Sequence, residues 1–366
     1  MNMSDGFVQL LTPDGERIER STGADGVEYS VDLTDEEYRG LYRDMVLARR
    51  LDAEGVALQR QGEMALWASL YGQEAAQIGS GRALRPQDMA FPSYREHGVL
   101  LARGMDPLLP FGLFRGIDQG AWDPATHHTQ MYTLVVGAQT LHATGYAMGV
   151  NLDGKARDAD GEAVIAYFGD GATAQGDVNE SFIWAGVHQA PIVFFCQNNQ
   201  YAISVGPERQ SHAPIYRRAS GFGFPGLRVD GNDVLASYAV TRHALDRARS
   251  GGGPMLIEAY TYRMGAHTTS DDPTRYRPSA EEESWAARDP IARLATFLRN
   301  QRIADEDYFL KIEEEVRHLA VELRERVLNL PDRDHSALFD HVYPHGSPLV
   351  EQQRAGFEGY RASFQA

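Results

Sequence analysis

Between residues 163 and 262, short apolar runs alternate with longer helical stretches, and this alternation limits the fold more than any other feature. Residues 163–168, 191–196, 227–229 and 254–262 read as strands, and 177–188 and 232–249 read as helices. Strands alternating with helices of this length imply a parallel sheet covered on both faces. The expected fold is therefore α/β, a mostly parallel sheet covered by helices on both faces. Upstream, Thr34 is placed to cap a long helix from 35 to about 61, and 74–83 reads as a short helix of small residues. Residues 1–33 are polar and rich in Gly and Asp, which suggests an irregular arm, and 104–132 suggest surface loops around a short helix. From about residue 280 the pattern is helical and highly charged, notably 305–328. The expected organisation is an arm (1–33), an α/β domain (34–280) and a helical C-terminal extension (281–366).

Charge and composition narrow the function. The chain carries 51 acidic against 35 basic residues, a formal net charge of −16. That argues against nucleic-acid binding, which needs basic side chains to neutralise phosphates. No apolar stretch approaches the ~20 residues of a membrane span. The first residues lack a basic start followed by a long apolar run, so no signal peptide and a cytoplasmic location are expected. The single cysteine, Cys196, lies in an apolar run and reads as a buried, inert thiol. His127-His128 has no further spaced ligands, so it reads as a pair of loop residues rather than a metal site.

The stretch "AYFGDGATAQGDV" (166–178) raises the chemical question. Gly169, Gly171 and Ala174 match the G-x-G-x-x-A fingerprint of dinucleotide-binding folds, after a strand and before a helix. Two details oppose a nicotinamide cofactor. The acidic residue that should bind a ribose hydroxyl about 20 positions on is replaced by Gln189 and Ala190, and Asp170 would face a pyrophosphate directly. A divalent cation between carboxylate and anion removes the conflict, because Mg²⁺ is commonly shared by carboxylates and substrate phosphates. Asp170 ends one strand and Asn199 follows the next, so both can converge at the carboxyl edge of a parallel sheet, with the carbonyl of Tyr201 a third oxygen. The glycines then let backbone N–H groups approach a diphosphate.

GDG at 169–171 followed by NN at 198–199 resembles the thiamin diphosphate motif. The blocks "GQEAAQIGS" (72–80), "YREHGVL" (94–100), "VGAQ" (136–139), "FFCQNNQYAIS" (194–204), "RVDGNDV" (228–234) and "TYRMGAHTTSDD" (261–272) extend the likeness. Over roughly residues 31–360 the sequence is similar to alpha subunits of the decarboxylating component of 2-oxo acid dehydrogenase complexes. The resemblance implies a thiamin diphosphate-binding fold of the pyrophosphate-domain type. It implies Asp170, Asn199 and the Tyr201 carbonyl as Mg²⁺ ligands. Tyr94, Arg95 and His267 then lie around the diphosphate, with Gly169, Gly171 and Ala172 offering close backbone approach. Leu134 and Val136 contact the aminopyrimidine and keep the cofactor bent. His267 is also placed near the reacting centre as a catalytic residue.

The resemblance also implies a missing half. In this family the glutamate that activates the aminopyrimidine belongs to a beta subunit, and no glutamate here is assigned to that task. The expected assembly is α2β2, serving a lipoyl acyltransferase core. The expected reaction is decarboxylation of a 2-oxo acid followed by reductive acylation of a lipoyl group. The sequence blocks lie closer to branched-chain 2-oxo acid dehydrogenases, with pyruvate dehydrogenase and acetoin dehydrogenase as alternatives. A catalytically silent scaffold would have no need of Asp170, Asn199, Arg95 and His267. Two positions depart from the branched-chain pattern: Gln197 replaces an arginine that reaches the diphosphate, and Ala138 replaces a threonine that ligates potassium in some relatives. Within 267–278, Arg275 and Arg277 are expected to pair with Asp271 and Asp272. Thr268 matches a serine phosphorylated in mitochondrial relatives.

Overall fold

The computed structural model describes residues 7–117, 122–158, 160–340 and 342–364. One six-stranded sheet organises these residues: β1 (Phe7–Val8), β4 (Met89–Phe91), β5 (Val164–Gly169), β6 (Ile192–Asn198), β7 (Gly226–Asp230) and β8 (Met255–Tyr260). Their order across the sheet is β1-β7-β8-β6-β5-β4, and all neighbours are parallel. A separate antiparallel pair joins β2 (Ser21–Thr22) to β3 (Glu28–Tyr29).

The central strands are apolar on both sides because helices cover both sides. Ile165, Tyr167, Val193, Phe195 and Ile257 belong to one buried cluster, with side chains from the helices Asp35–Arg60, Glu74–Ala83 and Val234–Arg249. The intervening Val164, Ala166, Phe168, Phe194 and Cys196 belong to another, with side chains from Ala138–Leu152 and Gly176–His188. Successive strand residues point to opposite faces, so each central strand must be hydrophobic throughout. Burial accordingly pushes the Cys196 thiol well up, and it is inert.

Local signals fix the helix starts. Thr34 and Glu37 form a reciprocal capping box at the first long helix, a device worth about 1 kcal/mol. Asp233 caps Val234–Arg249, and its second oxygen accepts from the backbone N–H groups of Leu10 and Leu11 at 2.7 and 2.6 Å.

That contact corrects the reading of the N-terminal arm as irregular. Residues 7–8 join the main sheet beside β7, and Val8, Leu10 and Leu11 are fully buried. Residues 1–6 lie outside the described residues. A two-residue strand carries no readable period, which is why the polar, Gly-rich context hid it. The 104–132 segment likewise contributes core: Met105, Phe111, Phe114 and Trp122 are buried around the helix Leu108–Arg115. The 15-residue helix Ala138–Leu152 and strand β4 add to the elements read from sequence. No described helix is long and apolar enough to cross a membrane.

Candidate functional site

The site grows from the adjacent ends of β5 and β6. Gly169 pairs in register with Gln197, so Asp170 and Asn199 leave the sheet side by side at its carboxyl edge. A single 3-10 turn, Asp170–Ala174, leads from β5 into the helix Gly176–His188. Gly171 is required there, because a Cβ on it would lie 2.7 Å from the Cβ of Ala202. The turn therefore presents bare backbone to a cavity of about 490 Å³.

Asp170 is 3% exposed, and its Oδ2 has no hydrogen-bond partner among the described residues. Burial pushes its carboxyl up to about 6. Gln210, the backbone N–H groups of Asp170 and Asn199 and the charge of Arg263 offset this burial only in part, and a cation beside the carboxylate would complete its compensation. Oxygen donors suited to a hard divalent ion converge on the same wall. Asn199 is oriented by two contacts: its Oδ1 accepts from the Tyr201 N–H at 3.3 Å and its Nδ2 donates to Gln73 Oε1 at 3.1 Å. The Tyr201 carbonyl accepts from Arg263 Nη1 at 2.9 Å, which occupies one of its two lone pairs. Among the described residues no group of three or more His, Cys, Asp or Glu side chains could hold a metal, His127 and His128 included. A cation at Asp170 thus depends on amide and backbone oxygens and on its ligand.

Arg95 and His267 line the same cavity. Arg95 is buried, with its guanidinium 5.6 Å from the Tyr94 ring centroid. It donates to the His267 carbonyl at 2.8 Å and lies 3.2 Å from His267 Nδ1, while Arg263 Nη1 lies 3.4 Å from the same nitrogen. Burial, Arg95 and Arg263, in that order, push His267 down to about 3, so the imidazole is neutral at physiological pH. Two guanidiniums around a neutral imidazole suit an anion and resist a further cation.

The remaining sequence-derived residues line the same cavity. Ala172 lies on the turn, and Leu134 and Val136 form part of the mouth. Leu66, Ala68 and Phe114 add apolar lining. Gln197 also lines it and is held in place: its Nε2 donates to Glu96 Oε1 at 2.7 Å, and its Oε1 accepts from Gln77 Nε2 at 3.1 Å. Glu96 Oε2 accepts from the N–H and Oγ of Ser93 and from the Arg95 N–H. Both oxygens of this buried glutamate are therefore engaged.

The sequence reading did not single out Arg263, Glu96 or Gln73. Arg263 was visible only as part of the 261–272 block. One pairing also needs correcting. Arg277 does not meet Asp271 or Asp272; it turns inward to the carbonyls of Arg263, Met264 and Gly265 and to Glu282. Asp271 instead accepts from the His267 N–H at 2.8 Å and from the Tyr276 hydroxyl, and Asp272 caps the turn Pro273–Arg275. Loop carbonyls left without strand partners compete successfully for the guanidinium.

Comparison with known proteins places this geometry among relatives. A family model described as "Dehydrogenase E1 component" matches residues 42–331. Over 348 residues the chain is 46% identical to a protein of Mycobacterium tuberculosis (strain ATCC 25618 / H37Rv) named 3-methyl-2-oxobutanoate dehydrogenase subunit alpha, covering 95% of this chain and 92% of the relative. It is 39% identical over 319 residues to the pyruvate dehydrogenase E1 component subunit alpha of Acholeplasma laidlawii, covering 86% and 90%. The protein of the same name from Bacillus subtilis (strain 168) is 39% identical over 311 residues, covering 84% and 81%.

Proposed function

Because the chain belongs to the dehydrogenase E1 component family, we propose that it is the alpha subunit of a branched-chain 2-oxo acid dehydrogenase. With a beta subunit, as an α2β2 assembly in the cytoplasm, it would decarboxylate acids of the 3-methyl-2-oxobutanoate type and acylate the lipoyl group of an acyltransferase core. The observation that carries the reading is the buried, unpartnered oxygen of Asp170 in a cavity that it shares with Arg95, His267 and the bare backbone of Gly169 and Gly171.

These residues fit Mg²⁺ and thiamin diphosphate. Asp170 Oδ2, Asn199 and the Tyr201 carbonyl would hold the ion. Tyr94, Arg95 and His267 would hold the diphosphate, with the N–H groups of Gly171 and Ala172 and the close approach allowed by Gly169. Leu134 and Val136 would support the aminopyrimidine. When bound, thiamin diphosphate supplies the nucleophilic carbon and electron sink that decarboxylation of a 2-oxo acid requires. Arg95 orients the anion and, with Arg263, keeps His267 neutral. Because its Nδ1 faces two guanidinium donors, neutral His267 carries its proton on Nε2 and would donate one hydrogen bond there towards a reacting oxygen, so positioning the acyl group for transfer.

Two features support a partner. The cavity's only glutamate, among the described residues, is Glu96, which is buried and already tied to Ser93, Arg95 and Gln197 as part of the scaffold. At the mouth, Leu134 and Val135 are 63% and 71% exposed, an apolar rim suited to burial by another subunit.

Substrate choice is read from Leu66, Ala68 and Phe114, apolar residues of the cavity lining that a branched side chain would contact. Each extra methylene buried is worth about 1 kcal/mol. The assembled complex should therefore prefer 3-methyl-2-oxobutanoate to pyruvate by at least about tenfold in kcat/KM. Steady-state kinetics on both acids check this, and equal or reversed values would favour the pyruvate reading.

A further inference from the structure

The loop that follows β6 carries two residues in the left-handed region, Gln200 (φ +72°) and Ile203 (φ +56°), on either side of Tyr201. Such residues are strained when they are not glycine, and they persist only where surrounding contacts hold them. Three anchors do so here. Gln200 Nε2 donates to the Thr261 carbonyl at 2.8 Å and its Oε1 accepts from the Tyr260 hydroxyl at 3.0 Å. Arg263 clamps the carbonyls of Tyr201 and Ile203 at 2.9 and 2.7 Å.

The third anchor comes from outside the cavity. The Tyr201 hydroxyl donates to Glu281 Oε2 at 2.7 Å, and Glu281 stands in the first turn of the helix Ser279–Ala286. That helix is itself seated on the same cluster. Trp285 stacks on the buried Tyr262 ring at 5.4 Å and 8°, Tyr262 packs edge-on against Tyr201 at 6.1 Å, and Glu282 pairs with Arg277 at 2.9 Å. The Tyr201 ring is thus held at both its edge and its hydroxyl, which restrains where the residue sits, while Arg263 bonds its carbonyl.

We propose that Glu281 is a positioning residue for metal binding, holding the Tyr201 carbonyl at the cation site through the Tyr201 hydroxyl. The inference rests on the reading of Asp170, Asn199 and Tyr201 as the cation site. It predicts that metal affinity depends on a carboxylate that does not line the cavity and touches neither ion nor cofactor.

The test is calorimetric titration of thiamin diphosphate into the metal-stripped complex of this chain with its beta subunit, over a series of Mg²⁺ concentrations. Glu281→Ala should raise the Mg²⁺ needed for half-maximal binding about tenfold or more, the usual consequence of losing a group that orients a ligand. Glu281→Gln, which keeps an acceptor, should restore most of it. Tyr201→Phe, which removes only the hydroxyl, should match Glu281→Ala, and the double variant should be no worse than either. If Glu281→Ala melts early without metal, Tyr201→Phe decides the matter. Wild-type Mg²⁺ dependence left unchanged by Tyr201→Phe overturns the inference alone. Metal-independent cofactor binding by wild type overturns the cation site and the inference together.

Discussion

Replacing Asp170 by Ala should lower turnover of the assembled complex by roughly 10³ or more at ordinary Mg²⁺, about 4 kcal/mol of lost transition-state stabilisation. The carboxylate is the only charged oxygen that the described residues place at the cation site, so no neighbouring group can take over its role. The same residue should cost stability when no metal is present. Its folded pKa of about 6 lies above the ordinary carboxylate value, so the folded protein binds this proton more tightly than the unfolded chain. The stabilising contribution is then complete below about pH 4 and is lost as pH rises through 6. At pH 8 the penalty is on the order of 3 kcal/mol. Asp170→Asn removes the charge and keeps the shape, so its metal-free melting temperature at pH 8 should exceed that of wild type by a few degrees. At pH 4 the two should converge. Thermal unfolding with a chelator, together with steady-state kinetics, separates the effects. A variant that melts lower than wild type at pH 8 would mean that the buried carboxylate is already compensated.

The second large effect is the absence of activity in the isolated chain. A general acid–base group at a cofactor ring nitrogen must have a free oxygen within hydrogen-bond reach. Glu96, the one glutamate that the described residues place on the cavity, is held within the scaffold by Ser93, Arg95 and Gln197. Purified alone, the chain should show no 2-oxo acid-dependent dye reduction above background. Adding the beta subunit should raise the rate by at least about 10². Appreciable turnover by the chain alone would show that a group within it performs the activation.

The parts of this architecture legible in sequence are those specified locally. Asp233 and the Thr34–Glu37 box mark their helices by residue type, and the β5 and β6 runs are long enough to announce burial on both faces. β1 has two residues and β4 three, too few for any period. The helix Ala138–Leu152 packs mainly through alanine and threonine, so its buried face has few of the large apolar residues that signal amphipathicity. The site shows the same division. Asp170, Gly171 and Asn199 follow from their positions at strand ends. Arg263 acquires its role only because the chain after β8 brings it to 3.4 Å from His267 and under the carbonyls of Tyr201 and Ile203. Gln197 shows its contacts only in the folded protein, where it joins Gln77 to Glu96.

The most direct measurement of the central claim is 3-methyl-2-oxobutanoate turnover by the assembled complex after its metal and cofactor have been stripped and then restored. Turnover should return only when thiamin diphosphate and Mg²⁺ are both supplied, and it should fail when either is withheld. Turnover that survives stripping, or that returns with Mg²⁺ withheld, would contradict a cation held at Asp170 between the protein and a diphosphate.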